Sequence, residues 1–373
     1  MGFESAFLRE LPGFIFLLLG VVSQFYVGRL YSVSRKPILW LSALELLIFI
    51  GTLEQITGFV HRAIKPWLSV YAIGGFLTLW YWVITFAAVV FWLKNRVRTP
   101  TFNPERRALL LGAAPAVAVA TGIIVRKNFV IREVDLEFPN LPKDLRGLRI
   151  AQISDIHMGD FFSPADLTRV VDMTNSLRAE MIVVTGDLIT NAYDPLDRCL
   201  LELKRLRAPS GVWGCMGNHE MHSNCESYTA QKALQYDIRF LRHQADSLTF
   251  GQSKLNLAGV DHQRRTRPYL QRAEELIVPG EFNLLLSHNP DVFPIAVQKG
   301  FNLTLSGHTH GGQINLPLPD GNLNLSDLVT PFTKGFYKLK DSALYVNSGL
   351  GTIGVPVRLG APPEITLIRL CNS

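Results

Sequence analysis

Residues 148–157 read Leu-Arg-Ile-Ala-Gln-Ile-Ser-Asp-Ile-His, a short apolar run that ends in a carboxylate and an imidazole. The run has the length and composition of a buried β-strand. Asp155 and His157 therefore stand just past the predicted carboxyl end of that strand. An acidic residue in this position can equally cap a following helix, so one such run alone does not define a site.

The same pattern recurs four more times toward the C-terminus. Strand-like runs end at residues 185, 216, 287 and 306, and each is followed by residue types that bind metals. Carboxyl ends of neighbouring strands in an open α/β sheet share one edge, so these side chains are predicted to converge there. The later members of the set are Asp187, Asn218, His219, His288, His308 and His310.

Helix-like segments such as residues 164–178 separate several of the runs, with Ser163 as the predicted N-cap. Two further strand-like runs cover residues 255–260 and 343–347. Alternating strands and helices indicate an α/β fold with a central sheet.

The first third of the chain has a different composition. Across all 373 residues, 48% are hydrophobic and 18% are charged, an apolar bias for a soluble enzyme. The excess lies in four stretches of about the length that crosses a bilayer. We predict transmembrane helices near residues 11–28, 37–59, 67–93 and 108–125. The predicted domains are a transmembrane region over residues 1–128, a linker with a leading strand over 129–146, and a catalytic domain over 147–373.

The net charge of +6 is concentrated around the apolar stretches. More Lys and Arg follow the first and third stretches than lie on the opposite side, which by a small margin predicts an extracytoplasmic catalytic domain. Arg106-Arg107 ahead of an Ala-rich run fits a twin-arginine export signal, and an ordinary charged helix flank explains it equally well. The chain has no basic stripe interleaved with aromatic residues, so no nucleic-acid partner is expected.

Five short blocks carry a resemblance to a known family. They are Asp-Ile-His at 155–157, Gly-Asp-Leu at 186–188, Gly-Asn-His-Glu at 217–220, Ser-His at 287–288 and Gly-His-Thr-His at 307–310. In this order they resemble the signature blocks of the calcineurin-like metallophosphoesterase superfamily, and the match covers residues 149–370.

Stretches 307–317 and 349–365 are similar to a bacterial membrane-associated subgroup. That subgroup includes transmembrane proteins with a metallophosphoesterase domain and UDP-2,3-diacylglucosamine pyrophosphatases. With the apolar stretches, this similarity implies a multi-pass protein of the bacterial inner (cytoplasmic) membrane.

The resemblance implies a four-layer α/β/β/α sandwich and a site for two divalent metal ions. The implied ligands are Asp155, His157 and His310 for one ion, Asn218, His288 and His308 for the other, and Asp187 bridging both. Imidazole, carboxylate and amide ligands suit Mn²⁺ first, with Fe or Zn²⁺ as alternatives. Two ions roughly 3.5–4 Å apart activate a bridging hydroxide that attacks phosphorus in line. His219 is the candidate that protonates the leaving oxygen.

The chain departs from the family pattern in two respects. It has several N-terminal spans instead of one, and Glu220 stands where many members have Asp. Three histidines outside the blocks, His222, His243 and His262, are expected to be surface or secondary contacts. Arg264, Arg265 and Arg267 are interpreted as a solvated basic loop, with a phosphate-binding cluster as the alternative.

The leading hypothesis is a membrane-anchored dinuclear phosphoester hydrolase acting on a lipid-linked substrate such as UDP-2,3-diacylglucosamine. Two alternatives belong to other classes of function. One is a membrane sensor or scaffold that binds a ligand without turnover, which the complete set of ligand residues disfavours. The other is a transporter built from the four spans, which lacks the second charged helix or broken-helix repeat that such proteins usually carry.

Overall fold

The computed structural model describes residues 21–26, 39, 120–264, 268–318 and 321–373. Within these ranges, no helix combines the length and the apolar composition needed to cross a membrane. The predicted spans at 11–28, 37–59, 67–93 and 108–125 lie outside the described residues, apart from residues 21–26, 39 and 120–125. Residues 124–353 and 357–373 form one compact unit.

Two six-stranded sheets and one hairpin make up the β-structure of the described residues. The strands are β1 (Val130–Phe138), β2 (Arg149–Ile153), β3 (Met181–Val184), β4 (Val212–Gly214), β5 (Ile238–Phe240), β6 (Gln244–Phe250), β7 (Ser253–Gly259), β8 (Phe282–Leu286), β9 (Leu303–Ser306), β10 (Asn315–Leu318), β11 (Gly321–Asn324), β12 (Gly335–Leu339), β13 (Ser342–Val346) and β14 (Glu364–Asn372).

Both large sheets are mixed. The first has the order β1-β14-β2-β3-β4-β5, and the second has the order β12-β13-β9-β8-β7-β6. Strands β2 to β5 run parallel to one another, and so do β7, β8, β9 and β13. The carboxyl ends of β2, β3 and β4 therefore share one edge of the first sheet, and those of β7, β8 and β9 share one edge of the second.

One hydrophobic core lies between the two sheets. Side chains of a strand alternate between its faces, and β3 shows the consequence clearly. Met181 and Val183 pack into the core between the sheets, whereas Ile182 and Val184 pack into the core under the helices. Strand β8 alternates in the same way between the central core and a third cluster on the other side of the molecule.

Helices cover the outer faces of both sheets. They are α1 (Pro164–Ser176), α2 (Leu196–Leu203), α3 (Asn218–His222), α4 (Glu226–Leu234) and α5 (Phe293–Lys299). Short 3-10 helices span Lys143–Leu145, Ala273–Leu276, Pro290–Val292, His310–Gly312 and Leu325–Leu328. Helices α1, α2 and α4 pack on the first sheet and α5 on the second. The predicted α/β sandwich is therefore confirmed.

Helix α1 begins where the sequence predicts. The Ser163 side chain accepts a hydrogen bond from the Asp166 backbone N–H, and the Asp166 carboxylate accepts one from the Ser163 backbone N–H. This reciprocal capping box satisfies two backbone donors that the first turn leaves without helical partners.

Candidate metal centre

The side chains predicted to bind metals lie on the loops that follow β2, β3, β4, β8 and β9. Several of these residues have an unusual backbone conformation, in which φ is positive although none of them is glycine. They are Asp155 (50°), His157 (47°), Asp187 (55°), His308 (76°) and His310 (53°). Non-glycine residues seldom adopt this left-handed region, and such strained residues cluster at functional sites.

Two glycines allow the loops to approach closely. A Cβ atom at Gly217 would lie 2.0 Å from Asp187 Oδ1. A Cβ atom at Gly307 would lie 2.0 Å from Ser154 Oγ and 2.3 Å from Asp155 Oδ2. Any side chain at either position would displace a carboxylate of the site, so both glycines are required by packing.

The first cluster joins the loops after β2 and β9. His157 Nε2 lies 3.1 Å from His310 Nε2, and the two rings stack with centroids 4.9 Å apart. His310 Nε2 also lies 3.4 Å from Asp155 Oδ1. Two imidazole nitrogens that face each other at this distance need a proton or a cation between them.

The second cluster joins the loops after β3, β8 and β9. His288 Nε2 lies 3.0 Å from Asp187 Oδ2 and 3.2 Å from His308 Nδ1. On the far side of its ring, His288 Nδ1 lies 2.6 Å from the carbonyl oxygen of Thr185. The Nδ1–H group donates to this carbonyl, which fixes the ring and directs Nε2 into the site.

The carboxylate of Asp187 connects the two clusters. Its Oδ2 atom lies 3.6 Å from His157 Nε2 in the first cluster and 3.0 Å from His288 Nε2 in the second. Its Oδ1 atom accepts a hydrogen bond from the His219 backbone N–H. Next to His219, the Asn218 side-chain oxygen is buried without a hydrogen-bond partner among the described residues. That oxygen is a buried acceptor free to bind a cation.

Burial and the neighbouring charges shift the pKa values of the site. Burial raises the pKa of Asp155 to about 6, although the nearby His288 opposes the rise. Burial alone would lower the pKa of His288, but the Asp187 and Asp155 carboxylates raise it to about 10. Burial lowers the pKa of His157 to about 3 and that of His308 to about 4. The two carboxylates therefore stabilise a positive charge on His288, whereas His157 and His308 are neutral imidazoles at neutral pH.

The donor set fits divalent cations. Three groups in the described part of the chain have ligand atoms within 4.8 Å of one another. They are Asp155, His157 and His310; His157, Asp187 and His219; and Asp187, His288 and His308. Mixed nitrogen and oxygen donors of this kind suit first-row transition metals, and neighbouring groups that share a carboxylate suit a metal pair.

The His219 ring stands beside the first cluster. Its centroid lies 4.8 Å from that of His157, and its Nδ1 atom lies 2.6 Å from the carbonyl oxygen of Thr190. Since Nδ1–H donates to this carbonyl, the ring orientation is fixed and Nε2 remains available. The ligand atoms of His219, His157 and Asp187 lie within 4.8 Å of one another, so the His219 ring lies at the candidate metal centre.

Glu220 stabilises the loops that follow β3 and β4. Its side chain is fully buried and accepts hydrogen bonds from the backbone N–H groups of Gly217 (2.8 Å), Asp187 (2.9 Å) and Leu188 (2.7 Å). Burial and the Asp187 charge raise its pKa, and the backbone donors oppose the rise. The longer side chain at this position thus ties the loops after β3 and β4 together.

We expect Glu220→Gln to lower the free energy of unfolding by about 1–3 kcal/mol. Glutamine has one side-chain oxygen where glutamate has two. Its NH₂ group would therefore face a backbone N–H group from which it cannot accept a hydrogen bond. Urea denaturation followed by circular dichroism measures the change. Glu137→Gln, on the exposed surface of β1, is the matched control; equal destabilisation by both substitutions would contradict this role of Glu220.

Arg358 is a buried cation that the sequence analysis does not single out. Its guanidinium donates to backbone carbonyl oxygens of Gly351, Ser348, Ala361 and His310. Its Nη2 atom also lies 3.3 Å from His310 Nδ1. Burial lowers the pKa of Arg358 to about 10, so the group stays charged at neutral pH. The cation therefore supports the loop behind His310.

His262 is half-buried against the second cluster. Its ring centroid lies 5.4 Å from that of His308 and 6.0 Å from that of His288. His243, by contrast, is exposed. His262 is thus a secondary contact of the site, not a surface residue. The sequence signal that could have found it is its place after β7, whose carboxyl end lies beside that of β8.

Fold and site together are those of a metal-dependent phosphoesterase. Residues 148–312 match the calcineurin-like phosphoesterase family. The chain is 33% identical over 242 residues to the uncharacterized metallophosphoesterase YkuE of Bacillus subtilis, a match covering 62% of this chain and 82% of that protein. The chain belongs to the calcineurin-like phosphoesterase family.

Two further relatives share less of their own length with this chain. The uncharacterized metallophosphoesterase Cj0846 of Campylobacter jejuni is 31% identical over 64% of this chain and 63% of its own length. A Bos taurus protein named transmembrane protein with metallophosphoesterase domain is 30% identical over 71% of this chain and 64% of its own length.

Proposed function

We propose that the chain hydrolyses a phosphoester with two divalent cations. Asp155, His157 and His310 hold one cation, and Asn218, His288 and His308 hold the other. The observation that carries the proposal is the position of Asp187 Oδ2, 3.6 Å from His157 Nε2 and 3.0 Å from His288 Nε2. A single carboxylate within reach of one histidine from each set is suited to bridge the pair.

When bound, such a metal pair supplies an activated water and neutralises the charge on the phosphoryl oxygens. The residues of the chain orient the reactants and move the proton. In its imidazolium form, His219 keeps Nδ1–H on the Thr190 carbonyl and carries its second proton at Nε2. That proton passes to the leaving oxygen as the bond from phosphorus to that oxygen breaks.

Three finer parts of the proposal concern the metal, the membrane and the substrate. We propose Mn²⁺ as the native metal because the ligands are imidazoles, carboxylates and one amide. The four apolar sequence stretches support a multi-pass anchor in a bacterial inner membrane, with the catalytic domain outside. An anchored enzyme suits a lipid-linked substrate, of which UDP-2,3-diacylglucosamine is one candidate.

Topology and substrate depend on each other. A catalytic domain outside the inner membrane would not meet a cytoplasmic nucleotide lipid. Fusing a periplasmic and a cytoplasmic reporter after Ser373 decides the side, since each reporter is active in one compartment only. Activity of the periplasmic reporter alone would support the outward topology and remove UDP-2,3-diacylglucosamine from consideration.

The proposed activity is tested with the purified full chain, loaded with Mn²⁺ and given bis-p-nitrophenyl phosphate. Release of p-nitrophenolate that chelation abolishes and Mn²⁺ restores is the expected result. A folded, metal-loaded protein without turnover of this substrate, of p-nitrophenyl phosphate or of nucleotide-linked lipids would contradict hydrolysis. It would favour the sensor or scaffold.

His219→Ala should retain both metal ions and lower kcat by roughly 10²-fold or more, because the variant loses the proton donor to the leaving oxygen. Metal analysis by mass spectrometry, run beside the kinetics, separates this role from that of a ligand. His243→Asn, at an exposed histidine, is the control and should change neither quantity. Loss of metal from His219→Ala would show that His219 is a ligand instead.

A further inference from the structure

A pocket lined by several polar side chains together with Pro290 and Val329 adjoins the second cluster of the metal centre. It has a volume of about 160 Å³, and His308 forms part of its wall. The other polar lining residues are His262, Gln263, Asn289, Asp291 and Thr330. Because His308 borders both the pocket and the site, a group attached to a bound phosphorus atom can reach into the pocket.

Hydrogen bonds between three loops build the pocket in advance. Asn289 Nδ2 donates to the Gln263 carbonyl at 2.9 Å, and Asn289 Oδ1 accepts from the Asp291 backbone N–H at 2.9 Å. The Thr330 hydroxyl donates to the Asp291 carboxylate. These contacts tie together the loop after β7, the loop after β8 and the segment before β12, so the walls are fixed before a ligand arrives.

His262 lines the pocket and has an unpaired ring nitrogen. Its Nδ1 atom is buried and has no hydrogen-bond partner among the described residues. Buried polar atoms are nearly always paired, so an unpaired one beside a reaction site indicates a ligand group that completes it. A hydroxyl group can donate to this nitrogen or accept from it, whichever tautomer is present.

The charge of the pocket limits what that ligand can be. Among the described residues that line it, none is lysine or arginine, and Asp291 contributes a carboxylate. Among the lining residues that the structure describes, a second phosphate or a carboxylate group would therefore meet the Asp291 carboxylate without a Lys or Arg partner. The volume is close to that of a cavity that holds one six-membered ring. Neutral hydroxylated groups between glycerol and a monosaccharide in size fit both the charge and the volume of the pocket.

The two ends of the site suggest how a substrate is oriented. His219 lies beside His157 in the first cluster, whereas His262 lies beside His288 and His308 in the second. A leaving group that takes its proton from His219 would leave the other ester group of a phosphodiester on the His262 side.

We propose that this pocket binds the retained ester group of a phosphodiester, an uncharged hydroxylated group, and that His262 determines this specificity. The inference rests on the proposed hydrolase function and narrows its substrate class. In the reaction, water adds to phosphorus, the bond to the leaving oxygen breaks, and the leaving oxygen takes a proton. The product is the phosphomonoester of the retained hydroxylated group.

The test uses p-nitrophenyl phosphodiesters that differ only in the second ester group, which is methyl, glycerol, aminoethyl or thymidine. All share one leaving group, so differences in kcat/KM report the second group. With the purified, Mn²⁺-loaded full chain, we expect the glycerol ester to exceed each of the other three by about tenfold or more. An equal kcat/KM for the glycerol and methyl esters, or a higher one for the aminoethyl or thymidine ester, would overturn the proposal.

Two variants link this preference to His262. His262→Phe keeps a ring but no polar atom, and should reduce the ratio of the glycerol to the methyl ester to about one. His262→Asn places an amide near the position of Nδ1 and should restore part of the ratio. His243→Asn, at the exposed histidine, should leave the ratio unchanged. An undiminished ratio in folded His262→Phe would refute the role of His262.

Equilibrium binding gives a second readout that does not depend on turnover. Calorimetry should show that the metal-loaded wild-type protein binds glycerol 1-phosphate about tenfold more tightly than methyl phosphate, and that His262→Phe binds them alike. Metal content should match in both proteins; loss of metal from His262→Phe would make His262 a ligand and overturn the proposal. If neither the diesters, p-nitrophenyl phosphate nor nucleotide-linked lipids are hydrolysed, the proposed function fails. Hydrolysis of p-nitrophenyl phosphate without any diester, or of the diesters without the glycerol preference, removes only the pocket assignment.

Discussion

Asp187→Asn should empty both metal positions and lower kcat/KM by at least about 10³-fold. Asp187 Oδ2 lies within 3.6 Å of a histidine from each cluster, so one substitution affects both. A carboxamide is neutral and has a single oxygen, which makes it a weak bridge between two cations. About 1.4 kcal/mol of activation free energy corresponds to a tenfold change in rate. A 10³-fold fall in kcat/KM therefore corresponds to the loss of several kcal/mol of transition-state stabilisation by the metals.

Metal stoichiometry measured beside kinetics checks the Asp187 prediction. The matched control is Asp341→Asn, an exposed aspartate in the turn between β12 and β13, and it should bind two ions and turn over normally. Retention of two ions by Asp187→Asn would contradict the bridging role. Retention of one ion would show that the carboxylate belongs to one cluster only.

Arg358→Met should lower the free energy of unfolding by about 3–5 kcal/mol. Removing a buried charged group leaves the buried groups that were hydrogen-bonded to it without a partner. Methionine has a similar length but no donors, so the carbonyl oxygens of Ser348, Gly351 and Ala361 would be buried without partners. Each buried acceptor left unpaired costs about 1–3 kcal/mol. His310 would also lose the group behind it, so metal affinity should fall as well.

Urea denaturation measures the stability of Arg358→Met. Arg369→Met is the control, because Arg369 is exposed and forms an ion pair with Asp135 at the surface. Its substitution should leave the urea midpoint almost unchanged, as exposed ion pairs contribute little. Similar midpoints for the two variants would contradict the structural role of Arg358.

Local sequence signals predict the positions of the candidate ligands well. Whether a residue follows a strand depends only on its neighbours, so Asp155 and Asp187 are placed just past β2 and β3 by pattern alone. The N-cap at Ser163 is predictable for the same reason. Local signals do not predict which ligands come together in the folded protein. His157 and His310, for example, lie against each other although they are 153 positions apart in the sequence. The division into two sets therefore came from the family resemblance.

Other features have no local signal. Strand β14 is not among the predicted strands, yet it lies between β1 and β2 in the first sheet. Its pairing depends on contacts more than 200 residues apart, such as Arg149 with Arg369. Arg358 looks like an ordinary loop arginine, since its carbonyl acceptors come together only in the folded loop. The positive φ of Asp155 also has no signal in the local strand pattern.

The most direct test of the metal pair is an anomalous-scattering map from crystals of the full chain grown with Mn²⁺. The proposed function predicts two peaks roughly 3.5–4 Å apart, one on each side of the Asp187 carboxylate. The first should lie among Asp155, His157 and His310, and the second among Asn218, His288 and His308. A single peak, or peaks that do not share Asp187, would contradict a dinuclear centre.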